Sequence, residues 1–307
     1  MGDKSKLALL ILLLVSIIFL YIPSSNSAFV FELRSIKVIS AILVGIAVSV
    51  SSFSFQTITN NNIITPGILG FDSLFLLIQT SLMFVSSRLL EGIDLLILCT
   101  ATMLFISLFV FRYIFLNHNI FKALLLGTIL SILFRSICSV LYTIMDPNAF
   151  DTIQSVMFTN FNSIDTSILP ACVLMVLAAT LSIYFLHKEL DVISLGENLS
   201  KSLGVDREEI IIYIIIMISV LVSVSTSLVG PIVFIGLFVS NLTRIMFNTY
   251  KHKFLLVASM LIGINLLLGG VYLNDLVFTD TNLPVVIDGL GALYFIYLCI
   301  TKRSKIL

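Results

Sequence analysis

The segment HKELDVISLGENLSKSLGVDREE (residues 187–209) decides how the rest of the chain is interpreted, because it is a polar island between long apolar runs. It holds nine of the 17 basic and 17 acidic residues of a chain that is 59% hydrophobic. Charged side chains are costly in hydrocarbon, so this segment is expected to lie in water. Glycine directly after an apolar residue is a common helix stop, so Leu195-Gly196 and Leu203-Gly204 predict two short helices. We call residues 187–209 the elbow and expect it to be a stiff element that another protein can bind.

The composition of the whole chain predicts a membrane protein. The 307 residues have a mean hydropathy of +1.14 and 11% charged side chains. A soluble core of this size could not bury so much apolar surface. Spanning helices satisfy their own backbone hydrogen bonds, which favours an all-helical architecture. The net charge of zero argues against nucleic acid as a partner.

Apolar runs of about 20 residues, the length that crosses a bilayer as a helix, recur along the whole chain. The fold class predicted is therefore an all-α polytopic membrane protein with about ten transmembrane helices, in a single domain covering residues 1–307. The predicted spans are approximately 7–22, 38–57, 67–86, 94–115, 120–142, 168–186, 210–227, 231–247, 254–273 and 284–301. An even number of spans places both termini on the same side of the membrane.

The distribution of basic residues indicates which side is cytoplasmic. Thirteen lysines and arginines fall on the side of the termini and the elbow, whereas Arg34, Lys37 and Arg88 fall on the other. Cytoplasmic loops carry an excess of basic residues, so both termini and the elbow are predicted to be cytoplasmic. The longest loop of the opposite side, residues 143–167, is polar and contains the turn signal Asp146-Pro147.

The sequence offers little for an enzyme or a metal site. It contains no HExxH, no GxSxG and no paired carboxylates within a span. The four cysteines lie far apart in apolar segments without a CxxC pair, which favours buried small side chains over a disulfide or a metal centre. The elbow stretch 196–202 lacks the second glycine of a phosphate-binding loop, so ATP is not expected to bind there. Asp72, Arg135 and Asp288 are the few ionisable residues within spans, which favours an energy source outside this chain over an ion relay.

Polar residues in and after the second span suggest a transport pathway. Gln56 precedes TITNNNIITPGILG (57–70), a polar segment broken by Pro66, and such backbone is tolerated at membrane depth only inside protein or beside water. We expect this loop to lie at the inner mouth of a pathway lined by Gln56, Asn60, Asn61, Asn62 and Pro66. The serines that crowd the same span have a simpler explanation, since small hydroxyl residues commonly pack helices together.

The stretch LRSIKVISAILVGIAVSVSSFSFQTITNNNIITPGILG (33–70) resembles the signature of the iron-siderophore and cobalamin importer permeases, the FecCD-type or type II ABC importers. The residues in register with that signature are Arg34, Gly45, Gln56, Asn61, Pro66, Gly67, Ile68, Leu69 and Gly70. The elbow resembles the family's paired Leu-Gly steps through Leu195, Gly196, Leu203, Gly204 and Val205, and VGPIVFIGLFVSNLTRI (229–245) and NLPVVIDGLGALYFIYL (282–298) resemble its later segments. Lys37 stands where the family has a second arginine, and Asn62 where it has a proline.

The resemblance implies the type II ABC importer permease fold and a set of partners. Two permease subunits, identical or different, would form a central pathway, and two separate ATPase subunits would bind ATP and magnesium, so this chain would be neither an enzyme nor a holder of cofactors or metals. The implied ATPase-coupling residues are Asp191, Leu195, Gly196, Glu197, Leu203, Gly204 and Val205. Arg34 and Lys37 would dock an extracytoplasmic substrate-binding protein, although both could simply cap the membrane interface.

The implied cargo is a ferric siderophore, taken up across a bacterial cytoplasmic membrane by a multi-pass permease. Cobalamin or haem import is the alternative within the family. An ion-gradient-driven secondary transporter is the alternative outside it.

Overall fold

The computed structural model describes residues 2–21, 28–86, 92–115, 120–157, 160–162, 164–232 and 234–277. All regular elements within these ranges are helical. The α-helices are α1 (Asp3–Tyr21), α2 (Ala28–Ile58), α3 (Phe71–Ser86), α4 (Gly92–Phe115), α5 (Ile120–Ile144), α6 (Pro147–Met157), α7 (Leu169–Phe185), α8 (His187–Ile193), α9 (Glu197–Ser202), α10 (Arg207–Val229), α11 (Phe234–Met246) and α12 (His252–Val277). Two 3₁₀ turns, Pro66–Leu69 and Thr166–Ile168, precede α3 and α7.

Helix α2 is the centre of the bundle. It packs against α7, α10, α11 and α12, and nearly all of its second half is buried. Small residues allow this close approach: a Cβ atom added at Gly45 would lie 2.9 Å from the Cα of Ile264, and Cβ atoms added at Gly236 and Gly263 would overlap the hydroxyls of Ser52 and Ser49. The interpretation of these serines as packing residues is therefore confirmed, because their small side chains face glycine backbones of neighbouring helices.

The predicted spans agree well with the helices. Six helices of the described part are long and apolar enough to cross a membrane, and shorter apolar helical segments lie within α3 (Phe71–Val85), α4 (Gly92–Leu108) and α11 (Phe234–Met246). Each of the first nine predicted spans corresponds to one helix, and the tenth, 284–301, lies outside the described residues. The break at Gly230-Pro231 is present, because α10 ends at Val229 and α11 begins at Phe234.

Two boundaries differ from the sequence prediction. Helix α2 begins at Ala28, ten residues before the predicted start of its span, because Arg34 and Lys37 were taken to mark the membrane edge although they are compatible with a helix. The segment 143–167 was expected to be a polar loop but contains α6, whose first residue is Pro147. Proline is well tolerated at the first helical position, so Asp146-Pro147 starts a helix here.

The two ends of the bundle are well defined. At one end lie the elbow, the start of α1 and the ends of α2 and α11. There the Lys6 Nζ donates to the carbonyl of Met246 (2.5 Å), and Arg207 of the elbow donates to the carbonyl of Ile58 (3.4 Å). We call this the elbow end. The opposite end brings together the end of α1, the start of α2 and the end of α12.

Candidate functional site

The elbow has the two-helix form that its glycines predicted. Helices α8 and α9 are separated at Gly196, which has φ +100°, and α9 is followed by Gly204 with φ +76°. Side chains other than glycine are strained at these angles. No neighbouring atom lies within 4 Å of a Cβ added at either position. The backbone conformation, and not a lack of space, is therefore what requires glycine at these two turns.

One face of the elbow carries exposed leucines. Leu195, Leu199 and Leu203 are 55%, 54% and 60% exposed and lie four residues apart. We call them the elbow leucine row. Large apolar side chains grouped on a polar, water-exposed element are typical of a protein-binding surface. Sequence reasoning named Leu195 and Leu203 but missed Leu199, which lies on α9 between them.

The other face of the elbow is fixed to the bundle. Leu190 and Ile193 are fully buried. The Asp191 carboxylate accepts hydrogen bonds from the backbone N–H (2.7 Å) and from Nδ1 (2.6 Å) of His252, the first residue of α12. Asp191 was predicted to contact an ATPase, and that contact stays a prediction. Its observed bonds make it the residue that positions α8 on α12.

A buried polar network continues from Asp191 toward α2. The His252 side chain is 3% exposed, and its Nε2 lies 3.2 Å from the hydroxyl of Thr57. Arg244 stacks on the Phe53 ring with 4.6 Å between the guanidinium carbon and the ring centroid. Asp191, His252 and Thr57 therefore connect the elbow to the last turn of α2. Sequence reasoning missed His252, because no local pattern indicates that it bonds to Asp191, 61 positions earlier in the chain.

Ion pairs tie α9 to the start of α10. The Glu197 carboxylate lies 2.9 Å from the Lys201 Nζ and 3.6 Å from the Arg207 guanidinium. The hydrogen bond from Lys201 lowers the pKa of Glu197 below its ordinary value. Glu197 and Lys201 are largely exposed, so water and salt screen this pair and it fixes orientation more than it adds stability. Val205, the last predicted coupling residue, is partly buried.

The predicted pathway residues divide into buried and exposed groups. Gln56 is 1% exposed, and neither amide atom has a hydrogen-bond partner among the described residues. Asn60 and Asn62 are exposed, Asn60 has φ +48°, and the Asn61 side chain accepts from the backbone of Ile63 (3.0 Å). The loop thus begins at the elbow end, as expected of an inner mouth, whereas Gln56 lies inside the bundle.

The loop then runs back into the protein. Ile64 and Thr65 are buried, and Pro66 starts the 3₁₀ turn. Gly70, with φ +102°, packs so closely on α5 that an added Cβ would lie 3.2 Å from the Cα of Ser131. Ser131 is 11 residues into α5, which corresponds to a depth of roughly 16 Å at 1.5 Å per residue. The segment is therefore a re-entrant loop buried in protein, as its polar and proline-broken sequence predicted.

The two predicted docking residues lie at the opposite end, in contact with their own chain. The Lys37 Nζ is 3.0 Å from the Asp275 carboxylate, which also accepts a hydrogen bond from the Tyr21 hydroxyl (2.6 Å). Arg34 donates to the carbonyl of Tyr21 (3.0 Å) and lies over its ring. We call Tyr21, Arg34, Lys37 and Asp275 the outer cluster. It holds together the ends of α1, α2 and α12.

A polytopic helical bundle with a rigid, polar elbow at one end and a re-entrant loop beside it defines a membrane transport permease. The sequence profile of the FecCD transport family matches residues 7–301, and the chain belongs to that family. The resemblance found in the motifs is thereby confirmed.

Among curated relatives, the petrobactin import system permease protein YclO of Bacillus subtilis (strain 168) is 39% identical over 99% of this chain and 100% of its own length. The petrobactin import system permease protein FatC of Bacillus anthracis is 30% identical over 92% of this chain and 82% of its own. The vitamin B12 import system permease protein BtuC of Vibrio parahaemolyticus is 29% identical over 89% of this chain and 83% of its own.

A solved structure supports the fold. It shows an inward-facing conformation of a transporter described as of the metal-chelate ABC type, and it matches with a TM-score of 0.84 and 23% identity over 97% of this chain and 99% of its own. At this identity the match shows the fold alone. The predicted fold class, an all-α permease of the type II ABC importer kind, is confirmed.

Proposed function

We propose that this chain is the membrane-spanning subunit of an ATP-driven importer for a ferric siderophore, working with a second permease subunit and two ATPase subunits that bind ATP and magnesium. The observation that carries the proposal is the elbow leucine row, an apolar surface on a polar element whose turns at Gly196 and Gly204 have the positive φ values that favour glycine. Membership of the FecCD transport family agrees with it. The elbow leucine row is the surface that the ATPase covers.

The contacts of the elbow suggest how a movement there reaches the pathway. Asp191 and His252 bind α8 to the start of α12, and Thr57 continues the contact to the end of α2, directly before the re-entrant loop. A displacement of the elbow by an ATPase therefore shifts α12 and the loop together, because packed helices move as bodies and do not deform continuously. We propose that this shift opens the pathway alternately at the two ends of the bundle.

The remaining surfaces fit a bacterial cytoplasmic membrane with both termini inside. The excess of basic residues on the elbow side supports this orientation. The outer cluster then faces the substrate-binding protein. Arg34 and Lys37 are the docking residues proposed there, and Lys37 must exchange its bond to Asp275 when it binds a partner carboxylate.

Petrobactin is the first cargo to test, because two relatives that cover most of this chain are permeases of petrobactin import systems. A relative named as a vitamin B12 permease makes cobalamin the natural comparison, and haem completes the panel. Binding-protein-dependent uptake of these three compounds distinguishes them.

The proposal is tested by purifying the whole importer with substitutions at the elbow. Leu199→Glu places a carboxylate in the proposed interface and is expected to remove the ATPase subunits from the purified complex. Tyr250→Glu is the matched control, since Tyr250 is 93% exposed at the same end of the bundle but lies outside the elbow. ATPase that stays bound to Leu199→Glu as it does to wild type would contradict the proposal.

The second candidate function is a secondary transporter driven by an ion gradient. Buried Asp72 on α3 is the observation in its favour, because ionisable residues within spans are typical of ion relays. Uptake that continues without any ATPase and collapses with the proton gradient would support this candidate over the importer.

A further inference from the structure

Helix α1 lies at the edge of the bundle. Among the described helices it packs mainly on α12, where the Asn265 side chain donates to the carbonyl of Leu10 (3.2 Å). Its other faces carry exposed apolar side chains, including Ile11 (45%), Val15 (58%) and Phe19 (74%). Lipid chains are as apolar as these side chains and can cover them. The outward face of α1 is therefore suited to contact with lipid.

Lys4 extends this outward face to the end of the helix. It precedes Ile11 by seven residues and Val15 by eleven, so the three side chains share one side of α1. Lys4 is exposed and lies just before the apolar span predicted over residues 7–22. A lysine at such a position lays its methylene stem along apolar surface and keeps its ammonium at the level of the lipid headgroups.

Two further lysines stand at the start of α12. Lys251 and Lys253 flank His252, the first residue of that helix, and both are exposed. They lie just before the span predicted over residues 254–273. Tyr250, which is 93% exposed, precedes them, and tyrosine is enriched where a membrane meets water. The start of α12 thus has the composition of a membrane interface.

Contacts between α1 and the turn from α11 to α12 bring these lysines together. The Lys6 Nζ, which donates to the carbonyl of Met246, lies 6.0 Å from the ring centroid of Phe247. Phe247 packs edge to face on Phe254 in the first turn of α12, with 5.3 Å between the ring centroids. Lys4 is two residues before Lys6, so it lies near the first turn of α12. We call Lys4, Lys251 and Lys253 the α1–α12 lysine cluster.

The α1–α12 lysine cluster has no ion-pair partner within the described part of the chain. Two acidic side chains of the same region are already engaged. Asp3 lies 3.9 Å from the Nζ of Lys6. Asp191 accepts hydrogen bonds from the ring and the backbone of His252. Three like charges on neighbouring helix starts repel one another, so a shared anion stabilises them.

We infer that the α1–α12 lysine cluster binds the phosphate headgroup of an anionic phospholipid whose acyl chains lie along the outward face of α1. Basic groups between helices at a membrane surface are typical of such headgroup sites. A soluble anion would use the lysines but not the apolar face beside them, and a zwitterionic lipid would use the apolar face but brings no net charge. The bound lipid holds α1 on α12, next to the His252 that positions the elbow.

Binding is measured by titrating the detergent-solubilised importer with fluorescent phosphatidylglycerol or phosphatidylcholine. One lysine at an anionic lipid surface contributes about fivefold in affinity, so Lys4→Gln/Lys251→Gln/Lys253→Gln should bind phosphatidylglycerol roughly a hundredfold more weakly than wild type. Replacing the same three residues by arginine keeps the charges and should keep the affinity within about threefold. Equal affinity of the wild type for both lipids, or an unchanged affinity of the glutamine variant for phosphatidylglycerol, would overturn the inference.

The place of binding is tested with phosphatidylglycerol that carries a photoreactive diazirine on one acyl chain. Cross-links are expected on the outward face of α1, at Ile11 and Val15, and Lys253→Gln should lower their yield about fivefold. Lys201→Gln is the matched control, because it removes an exposed lysine from α9 at the same end of the bundle and should leave the yield unchanged. Cross-links confined to other helices would contradict the assignment of the site.

Competition separates a lipid from a soluble anion. Inorganic phosphate should displace no more phosphatidylglycerol than chloride does at the same ionic strength, because it has no acyl chains to lie on α1. Stronger displacement by phosphate would make the cluster a site for a soluble anion and overturn the assignment to lipid. The inference does not depend on the proposed function: lipid binding without ATP-driven uptake would leave the site in place, and uptake without a lipid preference would remove the site and leave the importer.

Discussion

The elbow end and the opposite end of the bundle both carry residues predicted to contact other proteins, but they differ in what their side chains already bind. At the elbow end, Leu195, Leu199 and Leu203 each leave more than half of their surface exposed. At the opposite end, Lys37 and Arg34 bind Asp275 and Tyr21 of their own chain. A surface that leaves apolar area uncovered gains free energy from a partner, whereas a surface with satisfied charges must exchange bonds. We therefore expect the elbow end to form the stronger interface of the proposed importer.

The largest effect is expected from charging the elbow leucine row. The double variant Leu195→Glu/Leu203→Glu buries two carboxylates in the ATPase interface, and unpaired buried charges cost at least about 3 kcal/mol, or roughly a hundredfold in affinity. Titration of purified ATPase onto the reconstituted permease measures the change. If the double variant bound the ATPase within a few-fold of the wild-type affinity, the ATPase would bind at another surface. The elbow end would then have no advantage over the opposite end as an interface.

A slightly smaller effect is expected from substitutions at the two glycine turns that flank α9 and position the elbow leucine row. Gly204→Val forces a branched side chain to φ +76°, which costs about 1–2 kcal/mol or relaxes the turn. Since no atom lies near that Cβ position, the change acts through the backbone alone. ATP-driven uptake is expected to fall roughly tenfold. Asn198→Val, on an exposed helical position of α9, is the matched control and should leave uptake nearly unchanged.

The inner face of the elbow should affect coupling more than binding. Asp191→Ala leaves the backbone N–H and the Nδ1–H of His252 without their acceptor, a loss of about 1–3 kcal/mol that loosens α8 from α12. We expect the ATPase to bind and hydrolyse ATP while the cargo moved per ATP falls several-fold. Asp191→Asn retains an acceptor and should keep most of the coupling. Equal loss of ATPase binding in both variants would instead make Asp191 a direct contact.

At the opposite end, Arg34→Glu should weaken capture of the substrate-binding protein. Reversing one partly buried charge of a docking surface mainly slows association, by about tenfold at low salt, and the effect shrinks as salt is added. Surface plasmon resonance with the immobilised permease complex measures both rates. An association rate that does not change at any ionic strength would mean that Arg34 serves the membrane interface alone.

The smallest effect is expected from Lys37→Met. Its ion pair with Asp275 is partly exposed and contributes less than about 1 kcal/mol to stability. Thermal unfolding in detergent should shift by a few degrees at most, and Asp275→Asn should produce at least that shift, because it removes the same ion pair and also the charge that accepts from the Tyr21 hydroxyl. A weaker capture of the binding protein in Lys37→Met but not in Asp275→Asn would show that Lys37 exchanges its internal bond for a partner.

Residues whose role depends on local spacing could be predicted from the sequence. Gly196 and Gly204 identified the two short helices of the elbow, and runs of apolar residues identified the spans, because both signals are contiguous in the sequence. The packing role of Ser49 could also be anticipated, since small hydroxyl residues in spans usually meet other helices.

Residues whose role depends on tertiary contacts could not be predicted in this way. The bonds from Asp191 to His252 and from Lys37 to Asp275 join positions far apart in sequence, and no local pattern distinguishes them from exposed polar groups. Gln56 and Arg135 illustrate the same limit, as both are polar residues in apolar helices. The structure encloses Gln56 in the bundle and exposes Arg135 on α5, which depends on where the neighbouring helices lie.

The central claim is that an ATPase bound at the elbow drives uptake of a ferric siderophore. The direct measurement is uptake into proteoliposomes that contain the purified importer, with the substrate-binding protein outside and ATP inside, in the presence and absence of a protonophore. Uptake should require ATP, the ATPase and the binding protein, and should be unaffected by the protonophore. Uptake that persists without the ATPase and disappears with the protonophore would contradict the claim and make this chain a secondary transporter.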